Sequence, residues 1–135
     1  MNILFVCKYN VFRSRVAEVL FRKLNKNKSI YAKSAGIFTG QSRDSSLYLA
    51  LRKKKLDLYG GPKSITVPLL KWQDMIVIVA DDVPKEIFTK NNKYAKKVIV
   101  WKILDVKSNK VEERVEIINK IENKVRKLTR ELEYL

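Results

Sequence analysis

Cys7, Asn10, Arg13 and Ser14 fall within eight residues, Cys7-Lys8-Tyr9-Asn10-Val11-Phe12-Arg13-Ser14, and supply a thiol, an amide, a guanidinium and a hydroxyl. A guanidinium presents a planar fork of donors that suits a tetrahedral oxyanion. A free thiol titrates near pH 8.5, and a helix N-terminus beside a cation brings such groups into the range of roughly 3.5 to 7.5. A thiolate made this way needs no partner base. That matters because the chain contains no histidine, so Ser-His-Asp and Cys-His catalysis are excluded. A hydroxyl at Ser14 can donate to the sulfur and favour its charged form. The competing reading makes Cys7 a small buried hydrophobe at a strand end, the commoner fate of a lone cysteine. The spacing from Cys7 to Arg13-Ser14, set between a strand and a helix, favours the chemical reading.

The flanking residues say what must position this loop. Asn2-Ile3-Leu4-Phe5-Val6 leads in as a buried strand, and Val16, Ala17, Val19, Leu20 and Leu24 follow at helical spacing, predicting a helix from 14 to about 25. The loop therefore turns from strand into helix, where unpaired backbone N–H groups and the helix dipole favour an anion. Residues 30–34 read as a second short strand ended by Gly36, and the strand-helix-strand unit implies a right-handed crossover in a parallel sheet. After a loop over 37–43, Asp44 or Ser45 is placed to cap a second helix with Leu47, Leu51 and Leu58 inward, stopped by Gly60-Gly61-Pro62. A connecting stretch leads to Met75–Ala80, an apolar run that suits a strand covered on both faces. A short helix over 84–91 and a fourth strand over 97–101 follow. In the last helix Val111, Val115, Ile118, Ile121, Val125, Leu128 and Leu132 advance by threes and fours, with Asn109 and Glu112 as a capping pair. That stripe more simply covers the sheet than a coiled-coil partner.

The expected fold is α/β: one three-layer domain over 1–135, a four-stranded parallel sheet with helices on both faces. In such sheets ligands bind beyond the carboxyl ends of the strands, where the connections diverge. The Cys7 loop, Asp81-Asp82 and Asp105 all follow strands and should gather at one edge. Cleavage of a phosphate ester needs a proton donor for the leaving oxygen, and these three aspartates are the candidates.

The loop resembles the C-x-x-N-x-C-R-S-P sequence of the low-molecular-weight protein tyrosine phosphatases. Cys7, Asn10, Arg13 and Ser14 match; Phe12 replaces the second cysteine, Arg15 replaces the proline, and Tyr9 stands where a small residue is usual. Ala17-Glu18 and Ser34-Ala35-Gly36 extend the likeness. The resemblance implies a phosphatase-I-like fold, with Asn10 holding the loop through hydrogen bonds and Ser34 supporting it. It places the general acid after the fourth strand, usually as Asp-Pro, where Asp105-Val106 stands here. Asp81 or Asp82 then reads as the cap of the following helix, and neither is the acid unless Asp105 proves not to be. The implied chemistry is two-step: the Cys7 thiolate attacks phosphorus while loop amides and Arg13 hold the equatorial oxygens, and Asp105 protonates the departing alcohol. Lys8, Tyr9, Asn10, Val11, Phe12 and Ser14 complete the substrate-binding loop; Tyr9 either walls an aromatic substrate or narrows the entrance, and Phe38 and Trp101 are further candidate walls that side-chain packing explains equally well. Phosphotyrosine protein or a small phosphoester is the implied substrate, with no cofactor and no metal.

Composition sets the outer bounds. At 46% hydrophobic and 32% charged residues the chain suits a globular domain. A single cysteine cannot make an intrachain disulfide, so a reducing cytoplasm is the expected setting. No apolar run is long enough for a membrane span, so no membrane partner is expected. The net charge is +15, and residues 107–135 carry eight Lys or Arg against six acids, so the excess sits in the body of the domain. Most of these lysines read as solvated surface; steering of anionic substrates, and nonspecific nucleic-acid binding, are the partner readings such charge admits. Two other functions stay open: an arsenate reductase using an external thiol, since the relay cysteines of the thioredoxin-coupled type are missing, and a non-catalytic phosphate- or polyanion-binding module.

Overall fold

The structure, a computed structural model, describes residues 1–41, 45–90 and 93–135. Strands β1 (Asn2–Cys7), β2 (Tyr31–Gly36), β3 (Met75–Val79) and β4 (Val98–Trp101) form one sheet in the order β2-β1-β3-β4. All neighbours are parallel, with Cys7 opposite Gly36, Val6 opposite Ile78 and Val79 opposite Trp101. Between the strands run α1 (Arg13–Leu24), α2 (Ser45–Lys53), α3 (Val67–Trp72) and α4 (Glu86–Thr89), and α5 (Val111–Glu131) closes the chain.

Alternation along the central strands sorts side chains between two cores. Ile3 and Phe5 of β1 and Val77 and Val79 of β3 face a cluster with Val16, Ala17 and Leu20 of α1, Leu47 and Leu51 of α2, and Ile118, Ile121 and Val125 of α5. Leu4, Val6, Ile76 and Ile78 face the other side, where Phe88 of α4 is buried and Leu69 and Leu70 of α3 pack. Both faces being covered explains why β1 and β3 read as continuous apolar runs. The chain leaves β1 over one face through α1 and enters β3 from α3 on the other. The carboxyl end of β1 is thus the switch point of the sheet, and the Cys7 loop begins there.

Several elements differ from the sequence expectation. The second helix stops at Lys53, not at the Gly60-Gly61-Pro62 turn. Leu56 N–H donates to Leu51 O at 2.9 Å and Lys55 N–H to Arg52 O at 3.1 Å, the paired bonds of a left-handed helix end. Lys55, with φ of 55°, fills the position that glycine usually takes. Leu58 still packs on the core, but from the segment beyond the helix. The connecting stretch contains a helix of its own, α3, opened by Thr66, whose Oγ1 accepts from Leu69 N–H at 3.3 Å, and by Pro68 in the first turn.

At α5 the expected Asn109–Glu112 capping pair is replaced. Glu113 accepts from the Ser108 hydroxyl at 2.6 Å and from the Lys107 N–H, while Lys110 at the N-cap gives no side-chain bond. The expected cap at Asp44, Arg43 of the preceding loop and residue 91 lie outside the described residues. Among the described residues, no helix is long and apolar enough to cross a membrane.

Candidate active site

Residues 7–12 are held as a loop by their carbonyls. Cys7, Lys8 and Tyr9 accept from the N–H groups of Ile37 at 3.1 Å, Phe38 at 2.9 Å and Gly40 at 3.2 Å. In a trans peptide the N–H lies opposite the carbonyl, so the amides that follow these carbonyls point away from the 37–40 segment. This close contact between two backbones requires glycine at 36. A Cβ there would lie 2.6 Å from Phe38 O and 2.7 Å from Asn10 N. At the loop's end Phe12 is the N-cap of α1 and offers no capping side chain. The first N–H groups of α1 are left for an anion.

Asn10 fixes the loop from within. It has a φ of 55°, a left-handed conformation that asparagine tolerates better than most residues. Its amide nitrogen donates to Ser14 Oγ at 2.7 Å and to Ser34 Oγ at 3.1 Å, and its oxygen accepts from Lys63 N–H at 2.9 Å. Ser34 in turn donates to Glu18 Oε1 at 2.5 Å. Because Asn10 donates to Ser14, the hydroxyl proton of Ser14 is free to point at Cys7 Sγ, which lies 2.9 Å away. A hydroxyl aimed this way complements an anionic sulfur. Asn10 and Ser34 thus share one hydrogen-bond network beneath the loop, and Glu18 is a further member that the loop's own residues did not announce.

Arg13 is 3% exposed and points inward. Nη1 donates to Ile103 O at 2.9 Å and Nη2 to Asp82 Oδ1 at 3.0 Å. Asp81 stands 3.5 Å and Asp105 3.7 Å from the same guanidinium. The expectation that Asp81 and Asp82 cap the following helix is corrected: α4 has Lys85 at its N-cap and no side-chain cap. These carboxylates instead face the positive charge that parallel strand order brings to the same edge. Asp105 Oδ1 also accepts from its neighbour Val106 N–H at 2.8 Å, a bond that a proline at 106 could not give.

Cys7, Arg13 and Asp105 line one cavity of about 220 Å³, together with Tyr9, Val11 and Phe12 of the loop. Gln41, Leu47, Val106 and Arg114 complete it, four residues that sequence reasoning missed. Lys8, Asn10 and Ser14 are not on the cavity wall. Lys8 Nζ sits 5.3 Å from the centre of the Tyr9 ring, and Asn10 and Ser14 act from the buried side of the loop. Phe12 belongs mainly to the core. Trp101 is no wall: it is buried against Phe5, with ring centres 5.8 Å apart. Phe38 is exposed and packs on Tyr9 at 6.0 Å, outside the cavity. Among the described residues, no group of three or more His, Cys, Asp or Glu could hold a metal ion.

A thiol at a strand end, loop amides turned away from the 37–40 segment and a buried guanidinium thus lie together at the carboxyl edge of the sheet. Residues 2–134 match the family described as low molecular weight phosphotyrosine protein phosphatase. The chain belongs to that family. Among solved structures of this phosphatase fold, the chain resembles a low molecular weight protein tyrosine phosphatase from T. tengcongensis at 25% identity and a TM-score of 0.80, covering 97% of this chain and 99% of that one. An arsenate reductase from Archaeoglobus fulgidus shares 26% identity with a TM-score of 0.71, over 94% and 98% of the two chains. YwlE arginine phosphatase, solved as a mutant with a phosphorylated active site serine, shares 22% identity with a TM-score of 0.85, over 99% and 97%. No curated protein matches the chain.

Proposed function

We propose that this phosphatase-family protein hydrolyses phosphotyrosine, or a comparable aryl phosphate, through a phosphocysteine formed on Cys7. The reading rests on one observation: Cys7, Arg13 and Asp105 line a single cavity at the carboxyl edge of the sheet. In the first step the Cys7 sulfur attacks phosphorus in line, and the bond from phosphorus to the leaving oxygen breaks. Arg13 and the loop amides take up the charge on the three equatorial oxygens, and Asp105 passes its proton to the departing alcohol. In the second step Asp105 takes a proton from water as that water attacks phosphorus. The S–P bond breaks, returning the sulfur and releasing phosphate.

The walls favour an aryl ester. Tyr9, Val11, Phe12 and Leu47 give the cavity an apolar and aromatic lining, which suits a phenyl ring.

The test compares wild type, Cys7→Ser and Asp105→Asn on an aryl phosphate without added metal. The reading expects turnover by wild type and none by Cys7→Ser. Arsenate-dependent oxidation of an external thiol in place of phosphatase activity would support the reductase function named for the Archaeoglobus relative. Salt-sensitive nucleic-acid binding without turnover would support a polyanion-binding module.

A further inference from the structure

We propose that the cavity beside the catalytic one is a second anion subsite, holding a carboxylate or phosphate group next to the phosphorylated residue of a protein substrate. This rests on the phosphatase reading and extends it to substrate choice. The cavity has a volume of about 640 Å³ and lies between α1, α2 and the segment running to Pro62. Leu47 lines both it and the catalytic cavity, so the two share a wall. Arg15, Arg52 and Lys55 bring three cations to it, against the single carboxylate of Asp57.

Arg15 is the inner cation, and it belongs to this chain rather than to the family sequence, where a proline holds its place. Its Nη2 donates to Gly60 O at 2.7 Å and Tyr59 O at 3.3 Å, and Nη1 reaches Val11 O of the catalytic loop at 3.5 Å. These partners are neutral carbonyls, which orient the guanidinium without cancelling its charge. Burial pushes the Arg15 pKa down, with Tyr48 and Glu18 acting the other way. Arg52 and Lys55 are exposed at the rim, where a chain passing over Leu47 can reach them. Lys55 is held there by the left-handed end of α2, with φ of 55°. The ligand this chemistry recognises is an anionic side chain, placed one wall away from the phosphate cradle.

The experiment measures kcat/KM on two phosphotyrosyl peptides that differ only in Glu or Gln at the positions flanking the phosphotyrosine. A small aryl phosphate serves as reference. The Glu peptide should be preferred about fivefold to tenfold, as expected for one or two partly exposed ion pairs. Arg52→Gln with Lys55→Gln should erase that preference while leaving aryl phosphate turnover unchanged. Lys120→Gln, an exposed change on α5, removes a charge away from the cavity and should preserve the preference. A third peptide with phosphoserine in place of Glu separates the two anion sources. A gain confined to phosphoserine, and erased by the same two substitutions, assigns the subsite to a phosphate. Equal kcat/KM on all peptides with aryl phosphate turnover intact would overturn the subsite alone. So would a preference that Lys120→Gln weakens as much as the cavity substitutions do, since the overall charge would then explain it. Failure to turn over the aryl phosphate would overturn the phosphatase reading, and the subsite with it.

Discussion

Arg13 Nη2 lies 3.0 Å from Asp82 Oδ1, nearer than the 3.7 Å that separates it from Asp105. The guanidinium is therefore oriented by a carboxylate just beyond β3 together with Ile103 O, 2.9 Å from Nη1, while the proposed proton donor stands further off. A charge-assisted bond of this kind contributes about 1.5–3 kcal/mol. Asp82→Asn keeps the shape and one oxygen but removes the charge. The expected outcome is a fall in kcat/KM on aryl phosphates of about tenfold, with inhibition by inorganic phosphate weakened in parallel. Steady-state kinetics would check both. Unchanged kinetics would mean that Ile103 O and Asp81 suffice to hold Arg13.

Asp105 is the proposed acid, and its distinguishing property is dependence on the leaving group. Asp105→Asn should lower kcat by about 10² to 10⁴ on a phenyl phosphate whose alcohol leaves poorly. The loss should shrink for a nitrophenyl ester, whose phenolate leaves without a proton. A series of aryl phosphates of graded phenol acidity would measure this. A uniform loss across the series would make Asp105 a partner of Arg13 only, and would move the acid to Asp81 or Asp82.

The parts of this protein legible in the sequence are those whose determinants are local. The loop from Cys7 to Ser14 is contiguous, so its chemistry could be read before its shape was known. The β1 and β3 runs and the α5 stripe carry their own periodicity. Strand order places Asp82 at the same edge, but its bond to Arg13 is not legible, because the two meet across 69 positions of sequence through two crossovers. Arg114 and Gln41 reach the cavity by the same kind of folding. The end of α2 was hidden for a different reason: Lys55 takes a left-handed conformation that sequence reasoning reserves for glycine. The α3 helix, by contrast, did announce itself through Thr66 and Pro68, a cap and an early proline that a short apolar stretch overshadowed.

Oxidation should separate this protein from relatives with a second loop cysteine. Cys7 is the only cysteine in the chain, and Phe12 fills the place where a partner thiol would stand. Peroxide takes the Cys7 thiolate to a sulfenic acid, and a second equivalent takes that to a sulfinic acid unless a thiol intervenes. Prolonged peroxide treatment should therefore leave activity that dithiothreitol does not restore, with mass spectrometry showing two added oxygens on the peptide holding Cys7. Full recovery with dithiothreitol would contradict this.

Acid stability should follow Asp74, at the opposite end of the sheet from the site. Its Oδ2 accepts from Asn2 N–H at 2.8 Å and its Oδ1 pairs with Lys96 Nζ at 3.3 Å. The bond from Asn2 is the main cause holding its carboxyl below the usual value; burial opposes it, and Lys96 and the N-terminal ammonium add to the lowering. A carboxyl lowered in the folded state contributes stability that is present above the unfolded value of about 3.9. The contribution is lost as pH falls through the lower, folded-state value, because the unfolded chain takes up the proton first. Wild type should therefore melt higher than Asp74→Asn at pH 6, and the gap should narrow by pH 3. Thermal melts of both proteins at the two pH values would check it, and a gap that stays constant would mean that the ionised carboxylate adds nothing to the tie between Asn2 and Asp74.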